Sequence, residues 1–262
     1  MSKYNRINWQ TGMEITPQVL IDADNFHIER QNFIWRLQVM PCYGLLPESN
    51  FQANISLEGD TLTIKNLVVN AITPQGELIE MNEHGRKYVI NDLNQIIYQS
   101  YIALPNFQIV ENLLDNTFCV PIAKINNNNN LDYNYIPPCV SINSNQNLVK
   151  IYVEICNITT IIMTQIKGQE KYKAISLPLS MLELELKNYS KFESPDQLFI
   201  LVKKMALLFS ETLEIENIAK FLNETYCHTE IYKMFSIVLE CLRELEVKTK
   251  KEKTVKAKLI RI

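Results

Sequence analysis

From Phe51 onward the hydrophobic period of this chain changes once, and that change limits what it can fold into. Between Phe51 and about Lys124 apolar residues alternate with polar ones, whereas from Leu148 onward they return every three or four positions. Alternation places side chains on opposite faces of a strand; three-to-four spacing builds one stripe of a helix. The spacing predicts an α+β chain, an antiparallel β-sandwich or barrel followed by a helical bundle.

The strand segments are Phe51–Leu57, Thr61–Val69 with a slip near Asn66, Glu77–Met81, Tyr98–Leu104 and Thr117–Lys124. Gly59-Asp60, Pro74-Gln75-Gly76 and Pro105 punctuate them as turns. Ahead of them, Thr16-Pro17 reads as an N-cap and first-turn proline. The helix it opens runs from 17 to about 38, with Val19/Leu20, Ala23, Phe26, Phe33/Ile34 and Leu37 as its seam and Pro41 as its stop.

The asparagine run Asn126–Asn130 favours loop, and Pro137-Pro138 after it enforces extended backbone. These two prolines are the expected hinge between the parts. Helices are then expected over Leu148–Ile166, stopped at Gly168, and from Ser194-Pro195-Asp196-Gln197, read as a capping box, through Leu198, Met205 and Leu208. Two more are expected over Glu214–Leu222 and from Thr229 to Leu245, three or four antiparallel helices in all. The expected domains are 1–134, the β part with its leading helix; 135–246, the bundle; and 247–262, a basic tail.

Charge separates body from tail. The chain carries -3 overall, but residues 248–262 hold seven basic side chains against one acid, a net of +6, which leaves -9 on residues 1–247. An acidic body lacks the surface that neutralises phosphates, so nucleic-acid binding by the folded part is not expected. For the tail three readings stand: a solvated terminus, a short strand or helix laid on the body, or a cationic contact for an acidic partner or membrane surface.

Little in the sequence supports catalysis. His84 sits in Glu83-His84-Gly85, read as a turn, and His228 has only Cys227 beside it. Asp22, Asp24 and His27 cannot share one helix face, so no metal site is expected. None of the six glycines forms a phosphate-binding loop, and there is no nucleophile elbow. The six cysteines, widely spaced among apolar neighbours, read as buried free thiols. The first ten residues are polar, and the most apolar stretch, Leu148–Ile166, is interrupted by Lys150, Glu154, Asn157 and Gln165. The expectation is a cytoplasmic, non-enzymatic protein without cofactor, metal or small-molecule substrate.

Two segments carry a resemblance. Asn8-Trp9-Gln10-Thr11-Gly12-Met13-Glu14-Ile15-Thr16-Pro17-Gln18, followed by Asp24, is similar to the start of the type VI secretion baseplate family TssK. Tyr135-Ile136-Pro137-Pro138-Cys139-Val140-Ser141-Ile142 resembles the segment that opens that family's helical domain. Phe118–Ile125 resembles its last sandwich strand, and Cys227-His228-Thr229-Glu230-Ile231-Tyr232 is a looser match. The resemblance covers about residues 5–245. It implies a structural adaptor whose β "shoulder" docks on a TssF/TssG wedge, which trimerises, and which links the wedge to the membrane complex at the inner membrane. The family's C-terminal domain has no counterpart after Leu245, so the chain reads as a short, divergent member.

The resemblance places wedge contact at the N-terminal segment, with Trp9, Gly12, Met13, Pro17 and Gln18 as partner-binding residues. Trp9 packed under the sandwich is the other reading of that side chain. A phage tail baseplate or receptor-binding protein sharing the shoulder, and a ligand-binding β module, are the competing functions.

Overall fold

The computed structural model describes residues 6–39, 42–47, 50–59, 61–89, 100–104, 107–110, 119–126, 130–213 and 215–259. The fold is α+β, strands first and helices after. Helix α1 spans Pro17–Val39, and Thr16 caps it by accepting the Val19 N–H at 3.3 Å. Pro41, its expected stop, lies outside the described residues.

The first sheet is built around β3 (Thr61–Ile72). One edge of β3 pairs with β2 (Gln52–Glu58) and, further along, with the short β1 (Gly44–Leu45). The other edge pairs throughout with β4 (Leu78–Val89). The slip expected near Asn66 is a bulge: Asn54 pairs Asn66 but Ile55 pairs Ile64, which leaves Lys65 as the extra residue. Glu83-His84-Gly85 is not a turn. It lies within β4, where Glu83 pairs Leu67 and His84 pairs Asn66, and Gly85 absorbs a positive φ of 63° inside the ladder. The glycine that signalled a turn is a kink in a strand.

The second sheet has the order β6 (Gln108–Val110), β5 (Ser100–Leu104), β7 (Val120–Ile125). Tyr98, Thr117 and residues 127–129 of the asparagine run lie outside the described residues. Leu62, Ile64, Leu67 and Val69 of the first sheet and Ile102, Leu104, Val120 and Ile122 of the second belong to one buried cluster, which continues into the helices.

The helical part comprises α2 (Gln146–Ile166), α3 (Lys173–Lys187), α4 (Pro195–Ser210), α5 (Glu216–Asn223) and α6 (Ile231–Leu259). The stretch Gly168–Ser194 had no assignment from sequence; it contains α3, which tolerates Pro178 inside it and buries Ile175, Leu179 and Leu186. The Ser194 capping box is not formed. Ser194 makes no cap bond, and its hydroxyl donates to Asp196 instead.

The expected antiparallel arrangement fails for one pair. Arg243 bonds Glu154 and Thr249 bonds Gln165, so contacts advance together along α2 and α6, and these helices run in the same direction. The irregular segment 224–230 between α5 and α6 returns the chain to the sheets, where His228 meets Tyr43 and Glu230 meets Lys124. Among the described residues, α2 is long and apolar enough to cross a membrane, but Leu148, Tyr152, Ile155, Ile158 and Ile162 are buried in the bundle core. The basic tail is not a separate segment in the described backbone: α6 continues unbroken through residue 247 to Leu259, and Thr249 is fully buried.

Candidate docking interface and the joint behind it

The predicted partner-binding residues lie on an exposed N-terminal arm. Thr11 and Gly12 form a turn in which the Met13 N–H donates to the Gln10 carbonyl at 3.1 Å. Gly12 has φ +84° and open space where a Cβ would stand, so conformation and not crowding is what favours glycine there. Trp9 is 53% exposed, which rules out its packing under the sandwich. Met13 and Ile15 are exposed as well, and a shallow pocket of about 430 Å³ is lined by Asn8, Gln10, Thr11, Gly12 and Met13. Pro17 occupies the first turn of α1, and Gln18 donates to Asp22 at 2.9 Å.

None of the described side chains of α1 is fully buried. Of its apolar seam, Val19, Ala23 and Phe26 are half-buried, but from Glu29 onward the half-buried positions are polar, namely Glu29, Asn32 and Arg36, while Ile28, Phe33, Ile34, Trp35 and Leu37 are exposed. The anchor is backbone to backbone. Gly76, φ +88° in the turn between β3 and β4, sits so close that an added Cβ would stand 2.1 Å from the Asn32 carbonyl oxygen. In the C-terminal half of α1 a polar side therefore meets the fold and the apolar side chains are left over. Large contiguous exposed apolar surface marks an interaction site.

A second unpartnered stripe runs along α3, where Leu177, Met181 and Leu184 recur at helical spacing and are 60–71% exposed.

Behind these surfaces a polar joint ties sheets to bundle. Lys124 of β7, its side chain 9% exposed, places Nζ 2.7 and 2.9 Å from the two carboxylate oxygens of Glu230, the residue before α6. The Tyr101 hydroxyl of β5 donates to the same carboxylate, and Lys124 Nζ lies 5.5 Å from the Tyr101 ring centroid. Burial, then the Glu230 hydrogen bond, pushes the Tyr101 phenol well above its usual range.

Two residues upstream, His228 Nε2 lies 2.7 Å from the Tyr43 carbonyl oxygen and Nδ1 lies 3.1 Å from the Tyr226 hydroxyl. The Tyr43 N–H lies 3.2 Å from the same Nε2, and burial lowers the His228 pKa. Cys42 Sγ donates to Asp196 at 3.3 Å, tying the β1 approach to the start of α4.

The predicted hinge residues Pro137 and Pro138 are buried in this region. The Leu45 N–H donates to the Pro138 carbonyl at 2.8 Å and the Val140 N–H donates to the Leu45 carbonyl at 3.0 Å. A Cβ on Gly44 would stand 2.0 Å from the Pro138 oxygen, so only glycine fits beside that strap.

This arrangement ties the sheets to the bundle. Burial pushes the Cys42 thiol up to about 12 and also raises Cys139, Cys156 and Cys241, which suppresses thiolate chemistry. Among the described residues no group of three or more His, Cys, Asp or Glu is placed to hold a metal ion. The Lys124–Glu230–Tyr101 cluster was not foreseen; its one sequence signal was a lysine in an otherwise apolar strand.

No family model matches the sequence, and no curated protein matches it. Solved structures do match. A chain of the type VI secretion TssK–TssF–TssG baseplate subcomplex superimposes with a TM-score of 0.69 at 14% identity, over 94% of this chain and 99% of that one. A crystal structure of TssK gives 0.63 at 13% identity, over 93% of this chain and 72% of that one. TssK from the EAEC type VI system, bound to a nanobody, gives 0.62 at 12% identity, over 86% and 67%. These neighbours are structural baseplate proteins, and at such identities the likeness is one of architecture: the chain shares the fold of TssK over 93% of its length.

Proposed function

We propose that this protein is a structural adaptor of a type VI secretion-like baseplate, working from the cytoplasmic side of the apparatus. Its arm and α1, with Trp9, Gly12, Met13, Pro17 and Gln18, dock on a wedge of TssF/TssG type. Its bundle trimerises along the Leu177–Met181–Leu184 stripe. Residues 1–134 form the docking unit and residues 135–246 the bundle, with Pro137 and Pro138 at the joint between them. Through the bundle the wedge is linked to the membrane complex.

The observation that carries this reading is α1, which puts polar residues against its own fold and leaves Ile28, Ile34, Trp35 and Leu37 exposed. Burying an aliphatic or aromatic side chain is worth about 1.5–3 kcal/mol, so such a helix is better placed in an assembly than alone. The matched subcomplex, which contains TssK with TssF and TssG, supplies the kind of assembly.

The test is affinity capture from the native host with the complex weighed. Wedge proteins and a three-fold mass support the adaptor. A monomer that recovers portal or tail-fibre proteins favours a phage tail role, and a monomer that recovers nothing refutes the adaptor. Gly12→Val, with φ +84° now penalised by about 1–2 kcal/mol, should weaken wedge capture about tenfold without lowering Tm.

A further inference from the structure

The distal end of α6 concentrates charge that the baseplate reading does not use. Within Lys248–Leu259 six lysines stand against one acid, Glu252, while residues 1–247 carry -9. The stretch is continuous helix with the bundle, not a loose terminus. The buried seam Phe235, Val238, Leu242 and Leu245 ends at Thr249, whose hydroxyl bonds Gln165, one residue before α2 ends. Because the two helices run in the same direction, the backbone of Lys250–Leu259 runs on past the end of α2 for roughly 15 Å. The positions that continue the seam are Glu252, Lys256 and Leu259, so charged residues interrupt the apolar stripe directly after Thr249.

We propose that this lysine-rich end of α6 docks on an anionic lipid surface. The residue types select that occupant over other anions. The cations of the helical stretch are all lysines, point charges suited to a diffuse field, with none of the forked guanidinium groups that pair carboxylates or phosphates bidentately. Residues 246–262 contain no aromatic side chain to stack a base and no Asn or Gln to read one. The acidic body is repelled by the same surface, so the protein attaches by its tip.

The test is vesicle co-sedimentation of the full chain, which needs no baseplate partner and so stands apart from the adaptor reading. Binding is expected to phosphatidylcholine vesicles with about 30% phosphatidylglycerol and not to phosphatidylcholine alone, and it should fall several-fold between about 50 and about 200 mM salt. At about fivefold per lysine, the variant K250Q/K251Q/K253Q/K256Q should lose several hundredfold in partitioning. The same four positions as arginine should stay within about twofold, which separates charge from folding. Equal binding to neutral vesicles, no binding to anionic ones at low salt, or retention by the glutamine variant would overturn the proposal. So would tighter capture by polyglutamate or duplex DNA at matched salt.

Discussion

Replacing Lys124 by Met tests whether the joint between sheets and bundle is electrostatic. The side chain is 9% exposed and both its bonds end on Glu230, itself 20% exposed. Removing one partner of a buried pair costs about 3–5 kcal/mol, because the other charge stays behind unpaired. Glu230 keeps some water and the Tyr101 hydroxyl, so the cost here should fall to about 2–3 kcal/mol. For a chain of this size that lowers Tm by roughly 5–10 °C. Replacing the whole cluster, K124M/E230L/Y101F, removes every polar group at once and should return to within about 1 kcal/mol of the parent. Calorimetry or urea unfolding of the parent and both variants reads the difference. A single variant that costs under about 0.5 kcal/mol, or a triple variant no better than the single, would refute the argument.

Gly76→Ala forces a Cβ to within 2.1 Å of the Asn32 carbonyl oxygen and places alanine at φ +88°; α1 should lift off its anchor, seen as faster proteolysis between residues 17 and 39 with a loss of about 1–2 kcal/mol. Met181→Lys with Leu177→Lys puts charge on two exposed side chains of α3, so Tm should hardly change while the sedimentation mass drops to that of one chain; an unchanged mass removes the trimer seam from α3. His228 has its folded pKa depressed below 6.5, so the stability it contributes is present above that pH and declines as pH falls from about 6.5 toward the folded value. His228→Gln should flatten the stability profile in that window.

The sequence carried the architecture because periodicity is local. Alternation over Thr61–Val69 and three-to-four spacing over Leu148–Ile166 name a strand and a helix whatever lies beside them, and Gly168 marks a helix end by its own chemistry. The same local logic failed where a residue has two uses. Gly85 served as a kink within β4, and Ser194 bonded Asp196 instead of capping α4. The segment Gly168–Ser194 went unassigned, yet α3, with Pro178 inside it, buries Ile175, Leu179 and Leu186, and packing outweighs one lost bond.

The candidate interface divides the same way. Trp9, Gly12 and Met13 were singled out through the family resemblance, and Trp9 and Met13 are exposed. Which face of α1 is free was not legible, since a helical seam looks identical whether it meets its own sheet or another molecule. That was decided by the turn at Gly76, which brings polar Asn32 and Arg36 to the fold and leaves Ile34 and Trp35 outside. The joint was equally hidden, because Lys124 and Glu230 stand 106 residues apart and become partners only when the return of segment 224–230 lays the start of α6 against β7. Sequence determined which elements form, since that depends on neighbours within a few residues. Tertiary structure decided which surfaces are spent inside the fold and which remain, since that depends on contacts between residues far apart in the chain.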